Sequence, residues 1–395
     1  MANTLLSPTI IADTARVMLE NNSILANKVY RDDKAFTGKI GTTHTIRLPN
    51  RFVSNTGKAL SVGEQNEPSS VITIDTQKHV DFYFDSDDLT LTIEEFAARY
   101  LKPAMSQLAN DVDASLAARY VDIYNSVGTP GTTPSTYANS IQLINTRAGL
   151  LGWPKEGLSL VVEPDAYNTM ANGMTALSFE NKVSKDALEK GYVPQIGGWE
   201  IYESQNIKNH TVGTYGGTPL TNGAGASGDT STETDGWTSG ATTLNEGDVF
   251  TIAGVNAVNY QTRQSINSLQ QFNVGADISD TTGAITVTHA PTITTSGAYQ
   301  TVDAAPTDGQ TITVMGTSAT AYPQNLAFHR DCFALAMADL VLPQGVDFAA
   351  ISRYNGISVR IVRAYDINSD SFPCRIDVLF GTKTIYPELG MRLWG

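Results

Sequence analysis

Residues 71–95, VITIDTQKHVDFYFDSDDLTLTIEE, change period partway along. Ile72, Ile74, Val80, Phe82 and Phe84 fall on alternate positions, with Thr76 and Lys78 on the beats between, which is the repeat of a strand with one covered face. Past the acidic turn Asp85-Ser86-Asp87-Asp88, apolar side chains recur at Ile93, Ala97, Tyr100, Ala104, Leu108, Val112, Leu116, Tyr120 and Ile123, the spacing of an amphipathic helix. Thr92 and Glu95 have the spacing of a capping box, which satisfies first-turn donors reciprocally. Pro103 either kinks this helix or opens a second one, because it removes a backbone donor and crowds the preceding turn. Nothing catalytic in character lies between strand and helix. A long ribbon hinged onto a long helix reaches and holds neighbours, so the stretch points to assembly rather than chemistry.

Upstream, Thr43 to Val53 reads as a strand with Ile46 and Leu48 on one side, and Ser54 to Ser70 is a polar tip rich in Gly, Ser, Asn and Glu. Together with the alternating run these form a two-stranded excursion, which is marginal alone in water and must lie on its own body or on a neighbour's. Ser7-Pro8 predicts the start of a short helix with Ile10, Thr14, Val17 and Met18 as its apolar stripe, ended by Asn21-Asn22. This is a docking arm.

Downstream, helices are expected at Ser140–Leu151, from Pro164, and at Lys182–Lys190, with a buried strand at Leu158–Val162 and a Gly197-Gly198 turn into a strand through Tyr202. Helices and strands in alternation mark an α+β unit. From Thr211 to Thr243 the chain is mostly Gly, Thr, Ser, Asn and Asp and reads as linker. Short strands follow at Val249–Ile252, Gln271–Val274, Ala284–Thr288 and Thr311–Val314, a small all-β module. Helical pattern returns at Asn325, with a helix to Leu340 that turns Leu326, Phe333, Met337 and Leu340 inward, then strands around 359–362, 375–379 and 384–385. The β module is therefore inserted into the α+β unit.

With 395 residues and 41% hydrophobic content the chain can build two or three domains with real cores. A net charge of −14, from 26 basic and 40 acidic residues, argues against neutralising phosphates directly. Cys332 and Cys374 lack a metal or redox spacing and read as small apolar residues of a reducing compartment. The sequence shows no secretory signal and no run near the roughly 18 apolar residues of a membrane span, so the expectation is a soluble, cytosolic product.

The chemical motifs resolve into ordinary structure. Gly223-Ala224-Gly225-Ala226-Ser227-Gly228 matches a dinucleotide fingerprint in letters, but the polar stretch after it has no helical period to meet a pyrophosphate, and a flexible linker explains the glycines. His329-Arg330-Asp331 resembles a kinase loop without its other parts and reads as a helix start. Asp366, Asn368 and Asp370 have the spacing of a calcium loop, yet Ser371 and Asp377 stand where Gly and Glu belong; a turn between strands is expected, with the cation left open. Paired carboxylates such as Glu94-Glu95 do not converge on a substrate, and His44, His79, His210, His289 and His329 make no metal-ligand spacing. No catalytic residue, cofactor or metal ligand is assigned.

The order of parts resembles the major coat proteins of tailed phages with the Hong Kong 97 capsid fold, and more closely the P-twenty-two type with an inserted β-barrel. The resemblance is carried by Leu244-x-x-Gly247-Asp248-x-Phe250-x-Ile252-Ala253-Gly254-Val255, by Gly198-Trp199-Glu200-Ile201-Tyr202-x-Ser204, and by Leu379-Phe380-Gly381. It implies an α+β fold with an N-terminal arm at 1–42, an E-loop hairpin at 43–84, spine helix and peripheral domain at 85–136, and the first part of the axial α+β domain at 137–210. It further implies a β-barrel insert at 211–323 and the second part of the axial and peripheral domains at 324–395. An E-loop lies across the adjacent subunit, which makes Arg47, Arg51, Phe52, Lys58, Glu64, Glu67, Phe82 and Phe84 the candidates for subunit contacts. The implied partners are other copies of the chain as hexamers and pentamers, a scaffolding protein and a portal, around double-stranded DNA held without sequence-specific binding. The place of action is the virion head, assembled in the host cytoplasm. Acidic charge fits a shell filled by an ATP-driven motor. A phage surface or tail module that binds carbohydrate through Trp237 and Tyr260 is the alternative, and a carboxylate hydrolase is a third.

Overall fold

The computed structural model describes residues 8–31, 43–54, 56–58, 67–85, 100–175, 195–240, 242–279, 282–354 and 357–395. The expected capping box at Thr92 and Glu95 and the helix at Lys182–Lys190 lie outside them. The chain forms two compact units: Met1–Arg47, Ser69–Leu116 and Phe333–Ile385 make the first, and Leu48–Pro68, Ala117–Cys332 and Tyr386–Gly395 the second.

In the first unit a six-stranded sheet runs Tyr30–Arg31, Phe333–Ala338, Ser371–Thr384, Ile357–Arg363, Phe348–Tyr354, and Thr76–Asp85 also pairs with Ser371–Thr384. The alternating run quoted above is thus two strands, Ser69–Thr73 and Thr76–Asp85, and only the first belongs to the ribbon. The second half joins the sheet in ten-residue register from Thr76↔Phe380 to Asp85↔Ser371. Its Gln77 donates to the buried Asp377 carboxylate (2.9 Å), which also takes two bonds from Arg360 (2.9 and 2.6 Å) and one from Arg375 (3.1 Å). Removing any one of these partners would leave buried charge short of a partner.

The helix Pro8–Asn22 forms as expected, but its covered face is Ala12, Ala15 and Leu19, while Val17 is 43% exposed. Two alanines let the helix axis come close to the Phe348–Tyr354 strand, where Ser352 donates to Asp13 at 2.5 Å. Lys102–Ala117 is helical with Pro103 in its first turn, Tyr100 and Leu101 lead into it as a wider helical turn, the residues before them lie outside those described, and Ala118–Asp122 continues it as a 3-10 turn. Ala104, Leu108, Val112 and Leu116 of the expected stripe are buried, joined by Met105, while Tyr100 is 38% exposed. From its inner side the Asp113 carboxylate accepts the backbone N–H groups of Ile24, Leu25 and Ala26 (2.6, 3.3 and 2.9 Å) and so caps the 3-10 turn Leu25–Asn27. Burial pushes that carboxyl above its ordinary pKa, against the lowering effect of the three amides.

The second unit holds another six-stranded sheet, in the order Ser126–Val127, Gly390–Leu393, Asn325–His329, Leu158–Val162, Trp199–Glu203, Gln195–Ile196. The helices Ile141–Leu151 and Pro164–Thr175 cover it, sharing a core with Leu160, Val162, Trp199, Ala327 and Leu393. The expected helix over Asn325–Leu340 is corrected to two strands, Asn325–His329 and Phe333–Ala338, with His329-Arg330-Asp331 entering the turn between them. Both are central strands buried on both faces, so their side chains show no alternation for a sequence reading to find.

The stretch expected to be linker is corrected as well. Gly217–Thr221 and Ser231–Trp237 are strands of a sheet ordered Gly217–Thr221, Ser231–Trp237, Ile285–Ala290, Ser265–Val274, Val249–Val258, Ile312–Val314. A bridge from Leu220 to Thr311 links its first strand to the chain beside its last, leaving a nearly closed barrel. Thr232 and Thr234 point inward, where the Thr234 hydroxyl donates to Ile285 O and accepts the Trp237 indole N–H, both at 2.8 Å. Thr is a good strand former, and a hydroxyl satisfied in this way packs like a small apolar group. The Gly223–Gly228 run is a built turn: Gly223 and Ala226 donate to Asp308 and Asp229, and Gly225 to Pro306 O.

Asn209–Thr211 and Ala321–Pro323, the strands before and after the barrel, pair antiparallel. Beside them the buried His210 bridges Tyr120 (3.0 Å) and Asp248 (2.8 Å), and Asp248 also accepts the amides of Gly213 and Asn245. Gly247, at φ +92°, carries the turn and leaves room for Val121. The buried Arg392 donates to Gly247 O at 2.7 Å; loss of hydration lowers its pKa to about 10. This accounts physically for the Gly247-Asp248 pair singled out in the sequence.

Candidate functional site

The ribbon is Thr43–Arg47 paired with Ser69–Thr73, in register from Thr43↔Thr73 to Arg47↔Ser69. Among the described residues neither strand has a second strand partner. The five residues of the first strand alternate between exposed and half-buried and Ile72 is fully buried on the second, so the face of Thr43, Thr45, Arg47, Ser69, Val71 and Thr73 lies in solvent while the face of His44, Ile46, Ser70 and Ile72 is half-buried to buried. Two paired strands expose unpaired edge groups and bury too little to hold themselves. Their base is fixed by a close approach: a Cβ on Gly381 would stand 2.0 Å from the Thr73 carbonyl oxygen. Only glycine admits that contact, which explains the Leu379-Phe380-Gly381 signal.

The tip, Leu48–Pro68, belongs to the second unit. Arg51 forms an ion pair with Glu388, and its guanidinium lies 5.8 Å from the Tyr260 ring centroid and 5.6 Å from that of Tyr299. Tyr260 shares a 3.2 Å hydroxyl contact with Tyr124, and burial pushes its pKa up to about 12. Next along the chain, Phe52 O accepts from Arg263 at 2.8 Å while the Phe52 ring stands 70% exposed.

The remaining sequence candidates separate. Arg47, Lys58 and Glu67 have exposed side chains on the ribbon and tip. Phe82 stacks on Tyr100 within the first unit, ring centroids 5.9 Å apart, and so serves packing there. Glu64 lies outside the described residues, and of Phe84 only the backbone pairing to Phe372 is described. Asp366 accepts from Asn368 and Ser369 in a turn between strands, as expected.

Two features escaped the sequence reading. Tyr299 and Glu388, far from the tip in sequence, gave no signal, and Tyr260 was read only as a carbohydrate contact. The pairings Tyr83↔Pro373 and Phe348↔Arg363↔Cys374 bring Tyr83 and the turn holding Tyr365-Asp366-Ile367 to one end of the first sheet, where Ile367 is 80% exposed. Val341, 79% exposed, lies away from that end, its carbonyl accepting from Arg360 and the preceding Asp339 bonded to Ser358. Apolar residues within turn sequences were the available clue.

A family model described as P22 coat protein, gene protein 5, matches residues 3–395. Among solved structures the chain is similar to that of Mycobacterium phage Che8, with 16% identity, TM-score 0.49, and 94% of this chain and 90% of that one covered. It is similar to the capsid of Ralstonia phage GP4, with 9% identity, TM-score 0.45 and coverages of 93% and 87%. Over 26% of its length it is similar to 96% of the CUS-3 coat protein I-domain, with 24% identity and TM-score 0.20. No curated protein matches.

Proposed function

The chain belongs to the P22 coat protein family and is a major capsid protein that forms an icosahedral phage head, and from that premise we propose that its ribbon and tip lie across neighbouring copies in hexamers and pentamers. The observation that carries this reading is the two-stranded ribbon, with one whole face and both strand edges open to solvent and its base locked at Gly381. A second chain would cover what this chain leaves bare. Arg47, Phe52, Lys58, Glu64 and Glu67 are then the side chains offered to the neighbour, and the exposed turn at Tyr365 and Ile367 is a second contact.

The same reading takes residues 211–323 as an inserted barrel, supported by the paired strands before and after it. Assembly proceeds in the host cytoplasm with a scaffolding protein and a portal, and the shell encloses double-stranded DNA driven in by a motor. A net charge of −14 suits a wall that does not have to attract its genome. The chain works through surfaces, with no catalytic step. The carbohydrate-binding alternative loses its motive, since Trp237 is buried with its indole N–H bonded to Thr234, and Tyr260 is covered by Arg51.

Replacing residues 54–66 by a short Gly-Ser linker is expected to leave a folded subunit with an unchanged melting transition that forms no closed shells under negative stain. Normal particles from that variant overturn the role of the tip. Full-length protein that stays monomeric with and without scaffold overturns the assembly reading.

A further inference from the structure

We propose that Arg51 is a positioning residue for assembly: it clamps the tip onto the chain's own barrel and C-terminal segment and so presets the direction in which Phe52 and the residues after it are offered to a neighbour. The proposal rests on the assembly reading above and assigns the barrel a task beyond filling the shell wall. A solvated loop would sample many directions and lose that freedom on docking, whereas a loop already held has less left to lose.

The clamp is built from parts that are themselves fixed. Tyr260 is held by Tyr124, and Tyr260 N donates to Leu151 O at 3.2 Å. The turn that follows is closed by Asn259, whose carbonyl oxygen accepts the amides of Gln261 and Thr262 at 2.9 Å and whose amide donates to Leu150 O at 2.7 Å. Arg263 ends that turn at φ +59°, a left-handed backbone that disfavours a non-glycine residue and persists only where the surroundings impose it. From there its side chain reaches Phe52 O.

Arginine suits the inner position because a planar guanidinium meets two ring faces and a carboxylate at once, which a lysine ammonium does less well. Tyr299 and Glu388 complete the site from separate parts of the chain; the Tyr299 hydroxyl also lies 3.5 Å from Arg51 N. With Arg51 turned in, Phe52 and Val53 turn out, 70% and 47% exposed.

Hydrogen exchange on dilute, unassembled full-length subunit tests the clamp apart from assembly. Arg51→Ala is expected to speed exchange across residues 48–54 by about tenfold, the combined worth of two ring contacts and a half-buried ion pair, and to leave barrel amides unchanged. Tyr299→Leu, which keeps Arg51, gives a smaller increase in the same residues. Unchanged exchange in both variants overturns the proposal.

Charge reversal tests whether the pair acts within one chain. R51E and E388R, each shown to be folded by its melting curve, are expected to assemble slowly into irregular particles, alone and mixed, while the double variant in one chain regains regular particles. Mixed single variants that assemble as well as the double variant overturn the clamp in favour of a pair between copies. If wild-type protein forms no particles the assembly reading fails, and the exchange experiment still decides whether Arg51 holds the tip.

Discussion

The ribbon and the barrel are both β structure rich in threonine and serine, yet the barrel gathers a core that includes Trp237, Phe250 and Phe272, and the ribbon fully buries Ile72 alone among its described strand residues. In the barrel, Val249–Val258 and Ser265–Val274 stack Phe250 against Phe272 at 5.6 Å, with His289 set edge-on to both, and the Leu220–Thr311 bridge brings the first and last strands together. The polar threonines then face inward with their hydroxyls bonded. In the ribbon, two strands have nothing to close against. Near-closure and an apolar core act together to make the β segment self-sufficient, because they cover its edges and one face at once.

The largest expected effect breaks the barrel side. Phe272→Ala removes a fully buried ring and is expected to cost about 3–5 kcal/mol, read as a lowered urea midpoint and loss of soluble subunit. The same substitution at the exposed Phe52 is expected to shift the midpoint by less than about 0.5 kcal/mol. Equal losses at the two positions would remove the contrast.

Gly381→Ala attacks the ribbon at its one tight contact. A methyl group 2.0 Å from Thr73 O forces the strands apart, at an expected cost of about 1–3 kcal/mol, with faster hydrogen exchange in Ser69–Thr73 than in the barrel. Full protection of the ribbon in that variant would mean that its base is held elsewhere.

The smallest effect sharpens the contrast through pH. His289 donates from Nδ1 to Pro291 O, so its Nε2 is the acceptor for the Thr232 hydroxyl, and burial lowers its pKa below the ordinary 6.5. The unfolded chain therefore binds a proton at a pH where the folded barrel does not. Stability from this site is full above pH 6.5 and is lost as the pH falls toward the depressed value. The urea midpoint of the barrel is expected to drop between about pH 6.5 and pH 5, less so in His289→Gln, with ribbon exchange corrected for intrinsic rate unchanged.

Legibility in the sequence followed the same division. The helix Lys102–Ala117 and the strand Thr76–Asp85 each keep one wet face, so their periods survive in the letters. Asn325–His329 and Phe333–Ala338 have no wet face and read as a helix. Ser231–Trp237 turns its hydroxyls inward and read as linker. The Gly381 and Gly247 signals were visible because a glycine required by close approach stands out even when its partner is unknown.

The residue order alone determined which segments alternate and where the Pro8–Asn22 and Pro164–Thr175 helices begin. Only the tertiary structure decided that a threonine-rich stretch closes into a barrel, that the long alternating run divides between ribbon and sheet, and that Arg51 finds Glu388. Periodicity is local and is written in neighbouring letters. Closure and long-range pairing depend on which distant segments meet, and that is set by the fold as a whole.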